Sequence, residues 1–148
     1  MKIELASSMD EKPIKALLHE SRLVYEDITP SLLKNFLVMK DDSALVGVVG
    51  LEVQSRFALL RSLAVNPKFR SRGYAARLLE AAERYSEYLG VVTLFMVTTA
   101  AHGFFFNHGF KSEDRMTAAS LLHLVEHFQR LCPPPSLCLI KELEEEHF

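Results

Sequence analysis

The feature of this sequence that most constrains its fold is a change of hydrophobic period in the middle of the chain. Residues 57–65 (FALLRSLAV) read as a strand, and residues 91–97 (VVTLFMV) form an apolar run typical of a strand covered on both faces. Between them, apolar side chains recur at helical spacing at Ala75, Leu78, Leu79, Ala82, Tyr85 and Leu89, followed by Gly90 as a cap. Strand, amphipathic helix and strand predict a parallel βαβ unit with a right-handed crossover.

Shorter patterns on either side predict the remaining elements. Before the βαβ unit they are a strand in KIELA, a helix capped by Ser8 or Asp10 with Ile14, Leu17, Leu18 and Leu23 on one face, and a short helix from Thr29 and Pro30. A hairpin of FLVMK and ALVGVVGLEV around residues 41–43 follows. After the unit they are a short helix closed by Gly109, a strand from Phe110, a helix at 117–131 and a last strand in SLCLIKEL. Gly47 and Gly50 inside a hairpin strand indicate a bulge or a close backbone approach. We expect one α/β (α+β) domain over residues 1–148.

Composition excludes several classes of function. The net charge of −2, without a basic block, leaves no electrostatic footprint for nucleic acid. The longest apolar run is too short to span a bilayer, and the first residues lack an apolar signal core, so we expect no membrane partner and a cytoplasmic location. Cys132 and Cys138 fit two buried thiols in a reducing compartment, and their spacing is not that of a metal site.

The junction between the strand at 57–65 and the following helix holds an unusual loop. Arg70, Arg72 and Gly73 stand where the first N–H groups of the helix have no intrahelical partner. A helix N-terminus attracts anions, glycine lets the backbone approach closely, and two arginines add charge that can reach a diphosphate. The loop therefore predicts a phosphate site, although solvated arginines around a plain glycine turn would explain the same residues.

The residues of this loop carry a resemblance to a known family. Arg70-Ser71-Arg72-Gly73-Tyr74-Ala75 resembles the Gln/Arg-x-x-Gly-x-Gly/Ala acetyl-CoA signature of the GNAT superfamily of N-acetyltransferases. The longer segment LRSLAVNPKFRSRGYAARLLEAAE is similar to the family's strand, loop and helix, and Ala101, Phe104, Phe105, Gly109 and Phe110 follow the spacing of its later Ala-x-x-Phe-Tyr-x-x-x-Gly-Phe segment. The likeness covers residues 2–142. It implies the GNAT acyl-CoA N-acyltransferase fold, with a mixed sheet of six to seven strands, splayed at strands four and five, and four to five helices.

The resemblance also implies a co-substrate and a binding mode. Acetyl-CoA would be held without a metal, and the acceptor would attack it directly in a ternary complex. Its diphosphate would contact the backbone amides of Arg70, Ser71, Arg72, Gly73, Tyr74 and Ala75, its pantetheine arm would pair with Leu63, Ala64 and Val65 as an added strand, and Phe105 would also lie at the cofactor.

Two charged residues near the expected cofactor strand are candidates for chemistry. Glu52 ends an otherwise apolar strand and is the candidate general base, unless it simply faces solvent. Arg61 is a charge inside a strand, which is costly unless it contacts an anionic part of the substrate, pairs with Glu52 or reaches water. Phe105 replaces the tyrosine with which many relatives protonate the leaving thiolate. A catalytically weak acyl-CoA-binding module is therefore the alternative to an enzyme.

The C-terminal part narrows the resemblance further. Residues 128–133, FQRLCP, resemble the ending of the GNAT subgroup found with arsenic-resistance operons. This likeness implies a small amine as acceptor, amino-acid-like or arsenic-containing, with Cys132 and Cys138 as ligands for a thiophilic species or, more simply, as structural thiols. An exposed edge strand near the C-terminus would permit a homodimer.

Overall fold

A computed structural model describes residues 1–98, 102–113 and 137–143. Its strands are β1 (Lys2–Leu5), β2 (Phe36–Asp41), β3 (Ala44–Gln54), β4 (Phe57–Val65), β5 (Thr93–Thr98), β6 (Lys111–Glu113) and β7 (Leu137–Glu142), and its α-helices are α1 (Glu11–Glu20), α2 (Pro30–Leu33), α3 (Tyr74–Tyr88) and α4 (His102–Asn107). Short 3₁₀ helices cover Ser8–Asp10 and Pro67–Phe69. The helix predicted at 117–131, the FQRLCP segment and Cys132 lie outside the described residues.

The strands form one mixed sheet in the order β1-β2-β3-β4-β5-β7-β6. β1, β2 and β3 pair antiparallel, whereas β4 and β5 pair in parallel, as the βαβ pattern predicts. The parallel register joins Phe57, Ala58 and Leu59 to Thr93, Leu94 and Phe95, although β4 itself continues to Val65. A register that stops after three pairs is what a sheet splayed at strands four and five requires.

The described chain separates into two compact units, residues 1–52 with 60–85 and residues 53–59 with those from 86 onward. The first unit has its core between α1 and the inner strands. Ile14, Leu17 and Leu18 of α1 are buried against Phe36, Val38 and Val48, which confirms the predicted helix face. Leu23 follows the end of α1 and is 38% exposed, so its place on that face was wrong.

The two glycines of β3 mark close approaches. A Cβ on Gly50 would lie 2.4 Å from the ring of Phe36, and one on Gly47 would lie 2.7 Å from Leu78 and 3.0 Å from the carbonyl of Ala64. Phe36 and Leu78 are both fully buried. The missing side chains therefore let a ring and helix α3 lie directly on the sheet.

A buried ion pair ties the first helix to the sheet. Asp10 stands immediately before α1 and makes no side-chain cap hydrogen bond to it. Its carboxylate accepts a hydrogen bond from the Ser7 N–H at 2.8 Å, while Lys40 of β2 lies 2.8 Å from it. Burial alone would raise the pKa of Asp10, but the contacts with Lys40 and Ser7 outweigh it and lower the pKa.

This pair makes stability depend on pH in the acid range. Because the folded pKa of Asp10 lies below its unfolded value of about 3.9, its contribution is present above that pH and is lost as pH falls through the folded pKa. We expect Asp10→Asn to be less stable by about 1 kcal/mol at pH 7 and to lose less stability than the wild type on acidification. Urea unfolding from pH 7 to pH 3 measures both, with the exposed Asp41→Asn as control; parallel pH curves for D10N and wild type would contradict the expectation.

The second unit is built on β5 and β7. Thr93–Thr98 pair antiparallel with Glu142–Leu137, and Lys111–Glu113 of β6 pair with the other edge of β7. Phe95, Leu94 and Leu139 are buried in its core. Gly90, with φ +84, ends α3 as predicted, since the N–H of Val91 returns to the Ser86 carbonyl at 2.9 Å. Ser86 takes the buried helical position and Leu89 is 36% exposed, so the predicted place of Leu89 on the buried face was wrong.

Candidate functional site

The loop between β4 and α3 is shaped by its own side chains. The Asn66 side chain accepts a hydrogen bond from the Lys68 N–H at 3.1 Å, and the Phe69 N–H donates to the Asn66 carbonyl at 2.8 Å. The Arg70 Nε then donates back to the Val65 carbonyl at 3.0 Å. These contacts close a turn at the end of β4 and direct the chain towards the first residue of α3.

Two residues of the loop have left-handed backbone conformations. Ser71 has φ +63 and Gly73 has φ +81, and the first bond of the helix runs from the Arg77 N–H to the Gly73 carbonyl at 3.2 Å. Within the described part of the chain, no acceptor is recorded for the main-chain N–H groups of residues 71–76. Residues 70–73 are exposed. The loop thus presents a run of unpaired donors at the positive end of a 15-residue helix.

The arginines near this loop make two kinds of contact, a hydrogen bond to the backbone and stacking on aromatic rings. Arg70 braces the loop through Val65, so only part of its guanidinium is available to an anion. The Arg72 guanidinium lies 5.6 Å from the ring centre of Phe69, and that of Arg77 lies 5.9 Å from the ring centre of Tyr74. Because these aromatic contacts hold the two cations beside the helix start, they add positive charge next to the unpaired N–H groups.

Strand β4 is irregular where the coenzyme arm was predicted to bind. Ser62 has φ +60, a conformation that costs a serine about 1–2 kcal/mol, although it lies inside a strand. A single left-handed residue of this kind changes which way the following residues face, as in a β-bulge. Leu63 is half-buried, whereas Ala64 and Val65 are 7% and 9% exposed. The sequence analysis missed this left-handed residue, for which a small polar residue in an apolar strand was the available signal.

Next to this irregularity, Arg61 is the centre of a buried ion cluster. Its Nη1 donates to Asp27 Oδ2 at 2.5 Å and to Glu52 Oε2 at 3.1 Å. Its Nη2 donates to Asp27 Oδ1 at 2.9 Å and to the Val24 carbonyl at 3.3 Å, and its Nε donates to Ser62 Oγ at 2.9 Å. All five N–H groups of the guanidinium therefore have protein acceptors.

The cluster lies almost completely out of water. The side chains of Arg61, Asp27 and Glu52 are 3%, 0% and 10% exposed. Burial alone would lower the pKa of Arg61, but the contacts with Asp27 and Glu52 outweigh it and raise the pKa, so the guanidinium stays charged. The Phe36 ring lies 5.9 Å from the guanidinium, which links the space above Gly50 to the position of Arg61.

The structure settles the alternatives left open for these two charged residues. Glu52 does not simply face solvent, since it is nearly buried and paired with Arg61. Arg61 is paired with Glu52, one of the three alternatives, and with Asp27, which the sequence analysis missed because it lies 34 residues away in an unpatterned loop. Arg61 has no N–H left over for a substrate anion. Glu52, Arg61 and the loop at residues 70–75 all belong to the first compact unit.

The remaining candidates belong to the second unit. Phe105 is 6% exposed and its ring meets those of Phe104 and Phe110 edge-on at 5.0 and 5.9 Å, so it is a packed residue of this unit. Cys138 is buried, as predicted for a structural thiol.

Metal-binding groups and membrane-spanning helices are both absent from the described residues. Among residues 1–98, 102–113 and 137–143, no three histidine, cysteine or acidic side chains are grouped so that they could hold a metal ion. No helix in those residues combines the length and the apolar character that crossing a membrane demands.

The fold is a mixed sheet in which β4 and β5 pair in parallel, and the loop after β4 presents unpaired N–H donors at the start of α3. This combination defines a class of α+β domains suited to binding an anionic ligand. The chain belongs to the acetyltransferase (GNAT) domain family, whose model matches residues 33–112. The matched region runs from the end of α2 into β6 and includes the whole loop. The predicted family and fold are thereby confirmed, and the chain belongs to a family of acyltransferases.

Curated proteins with similar sequences are described as amino-acid acetyltransferases. Amino-acid acetyltransferases of Pseudomonas aeruginosa (strain LESB58) and Pseudomonas syringae pv. syringae are 32% and 33% identical to this chain, over 121 and 122 residues and 79% of its length. The match covers 27% of each relative, so the chain spans about a quarter of the length of the curated relatives it matches.

Solved structures share the fold at lower identity. The Rv2747 protein of Mycobacterium tuberculosis, in complex with CoA, has a TM-score of 0.79 at 18% identity and covers 97% of this chain and 100% of its own. N-acetylglutamate synthase from Neisseria gonorrhoeae, complexed with coenzyme A and L-arginine, has a TM-score of 0.79 at 22% identity over 97% of this chain and 33% of that one. Tetrahymena GCN5 also has 0.79, at 17% identity over 99% of both chains.

Proposed function

We propose that this protein transfers the acetyl group of acetyl-CoA to the primary amine of a small, amino-acid-like molecule. The observation that carries the proposal is the run of unpaired N–H groups at residues 71–76, opened by left-handed Ser71 and Gly73, in a chain of the GNAT acetyltransferase family. A coenzyme A diphosphate matches such a run in charge and in hydrogen-bonding capacity. The CoA complexes of the structural relatives support the same ligand.

The other parts of the coenzyme have candidate partners in the same unit. The amide-bearing pantetheine arm is an extended chain, and in this proposal it pairs with the backbone of Leu63, Ala64 and Val65 as an added strand. Because β4 pairs with β3 along one edge, the arm in this proposal uses main-chain groups of the opposite edge, where they are not already engaged as the Val65 carbonyl is by Arg70. The expectation that Phe105 contacts the coenzyme stays a prediction from the family likeness.

For the chemistry, Glu52 is the proposed base. Acetyl-CoA supplies a thioester whose carbonyl carbon accepts the amine. The carboxylate of Glu52 takes one proton from the acceptor's ammonium, directly or through water, so that the nitrogen lone pair becomes nucleophilic. As the C–N bond forms and the C–S bond breaks, a main-chain N–H of β4 polarises the carbonyl and the nitrogen releases its second proton to solvent. Solvent also protonates the departing thiolate, because Phe105 has no hydroxyl.

The acceptor class is proposed from the relatives. Two of them are amino-acid acetyltransferases, and one structural relative is an N-acetylglutamate synthase. The likeness of residues 128–133 to arsenic-associated acetyltransferases extends the proposed acceptors to amino-acid-like arsenicals. We therefore propose a panel of α-amino acids, amino-acid-like arsenicals and simple alkylamines, each assayed by release of free thiol from acetyl-CoA.

Gly73→Ala tests whether the loop binds the coenzyme. Alanine has open space at this position, but it disfavours φ +81, so the N–H groups of the loop should no longer converge. We expect the Kd for coenzyme A to rise about tenfold, or ~1.4 kcal/mol, by isothermal calorimetry. Gly90→Ala is the matched control, because Gly90 has φ +84 and equally open space at the other end of the same helix. Equal affinities of G73A and G90A would contradict the proposed site.

A second function is favoured by one observation. Phe105 stands where the resemblance expects a tyrosine hydroxyl, and it is packed between two other phenylalanine rings. An acyl-CoA-binding module with little turnover would have such a site. Coenzyme binding that depends on Gly73, with no thiol release for any amine in the panel, is the result that would favour the module over the enzyme.

A further inference from the structure

The buried cluster of Arg61, Asp27 and Glu52 has a role that coenzyme binding does not explain. Ion clusters are costly to bury, and three apolar side chains would fill the same space at less expense. The cluster lies beside the irregular residue Ser62 in β4, and Ser62 Oγ is itself one of its acceptors. It therefore joins the proposed base to the strand proposed to hold the coenzyme arm.

The hydrogen bonds of Arg61 are unequally divided between the two carboxylates. Asp27 accepts through both oxygens, at 2.5 and 2.9 Å, whereas Glu52 accepts through Oε2 alone, at 3.1 Å. Among the described residues, no donor is recorded for Glu52 Oε1. Arg61 therefore forms a bidentate pair with Asp27 and a single hydrogen bond with Glu52. This one bond orients the Glu52 carboxylate and leaves its second oxygen unengaged by Arg61.

Arg61 is shared between two carboxylates. Both Asp27 and Glu52 accept from its guanidinium, and these contacts hold Arg61 in its charged form. Among the described residues, the charged group that contacts Glu52 is Arg61 from β4, and Arg61 in turn contacts Asp27 from the segment between α1 and α2. Asp27 and Glu52 are thus linked through one guanidinium.

We propose that Asp27 is a positioning residue that acts through Arg61 and directs Glu52 towards the acceptor amine. This inference rests on the proposed function of Glu52. It assigns Arg61 to the protein's own carboxylates, in place of the substrate contact expected from the sequence.

Asp27→Asn tests the inference because asparagine keeps the shape and an acceptor oxygen but removes the charge. The full charge of Arg61 then acts on Glu52. We expect the acidic limb of the kcat/KM profile to move to lower pH, and the plateau to fall about three- to tenfold. Asp42→Asn, in the exposed turn before β3, is the control and should leave the profile unchanged.

A second measurement does not depend on turnover. Carbon NMR of the Glu52 side-chain carboxylate, in the full chain saturated with coenzyme A, should show its titration midpoint move to lower pH in D27N. If the wild type acetylates no amine but this midpoint moves, the proposed function fails and the coupling of Asp27 to Glu52 stands. If D27N lowers the rate equally at every pH, with the midpoint unmoved, Asp27 is only a structural residue and the inference is overturned.

Arg61→Lys keeps the inference falsifiable if D27N does not fold. Lysine keeps the charge but cannot reach both carboxylates with a planar fork, so Asp27 retains the cation and Glu52 loses its hydrogen bond. The Glu52 midpoint should then move to higher pH, opposite to D27N. An unchanged midpoint in R61K would also overturn the inference.

Discussion

Replacing Arg61 with methionine is expected to lower the free energy of unfolding by about 3–5 kcal/mol. Methionine fills a similar volume, but it removes the cation that Asp27 and Glu52 share, while their side chains are 0% and 10% exposed. Buried carboxylates that lose this cation must either stay charged with less compensation or take up protons, and both cost free energy. A loss of this size is a large part of the total stability of a small domain.

Urea unfolding of R61M and wild type at pH 7 measures this effect. Arg84→Ala is the control, since Arg84 lies on the exposed side of α3 and its removal should change stability by no more than about 0.5 kcal/mol. The double variant D27N/R61M should lose less free energy of unfolding than the sum of the losses in the two single variants. The reason is that D27N removes one of the carboxylates from which R61M takes the cation. An R61M chain within 1 kcal/mol of wild type would show that the cluster contributes little.

Replacing Glu52 with glutamine is expected to lower kcat/KM for the best amine about 10²- to 10³-fold. Glutamine keeps an oxygen that accepts from Arg61 Nη1, so the cluster retains its hydrogen bond and the fold should persist. What it loses is the ability to take a proton from the acceptor ammonium. The affinity for coenzyme A should not change, because the loop proposed to hold the diphosphate, at residues 70–75, is a separate segment of the unit.

Thiol release from acetyl-CoA, followed across pH for wild type and E52Q, measures the loss. Glu80→Gln on the exposed face of α3 removes the same charge from the surface and should leave the rate unchanged. A rate that recovers at high pH, where the free amine is abundant, would support the base role. A kcat/KM within about threefold of wild type at neutral pH would assign deprotonation to another group and would leave Glu52 as a structural partner of Arg61.

The elements that carry the proposed site were predicted well because their signals are local. The bounds of β4, the short helix after Thr29 and the end of α3 at Gly90 follow from residue types within a few positions of each other. The misplaced residues were Leu23 and Leu89, both at helix ends. There the periodic pattern continues in the sequence after the helix has stopped, so the pattern alone could not show which side chains are exposed.

The single domain over residues 1–148 and the cytoplasmic location were expected from length and composition, and the homodimer from the family likeness; all three stay predictions. The family and the fold are confirmed, since a family model matches residues 33–112 and a solved structure has a TM-score of 0.79 over 97% of this chain.

The sequence by itself determined the strand and helix pattern, the loop with Gly73 and the fact that Arg61 needed a partner, because each depends on neighbouring residues and on the cost of a charge in an apolar strand. Only the tertiary structure decided that the partner is Asp27, 34 residues away, as well as Glu52. It also decided that Ser62 breaks the regular course of β4 and that Phe36 fills the space over Gly50. Contacts between distant segments depend on how the sheet and helices pack, and no local pattern in the chain records that packing.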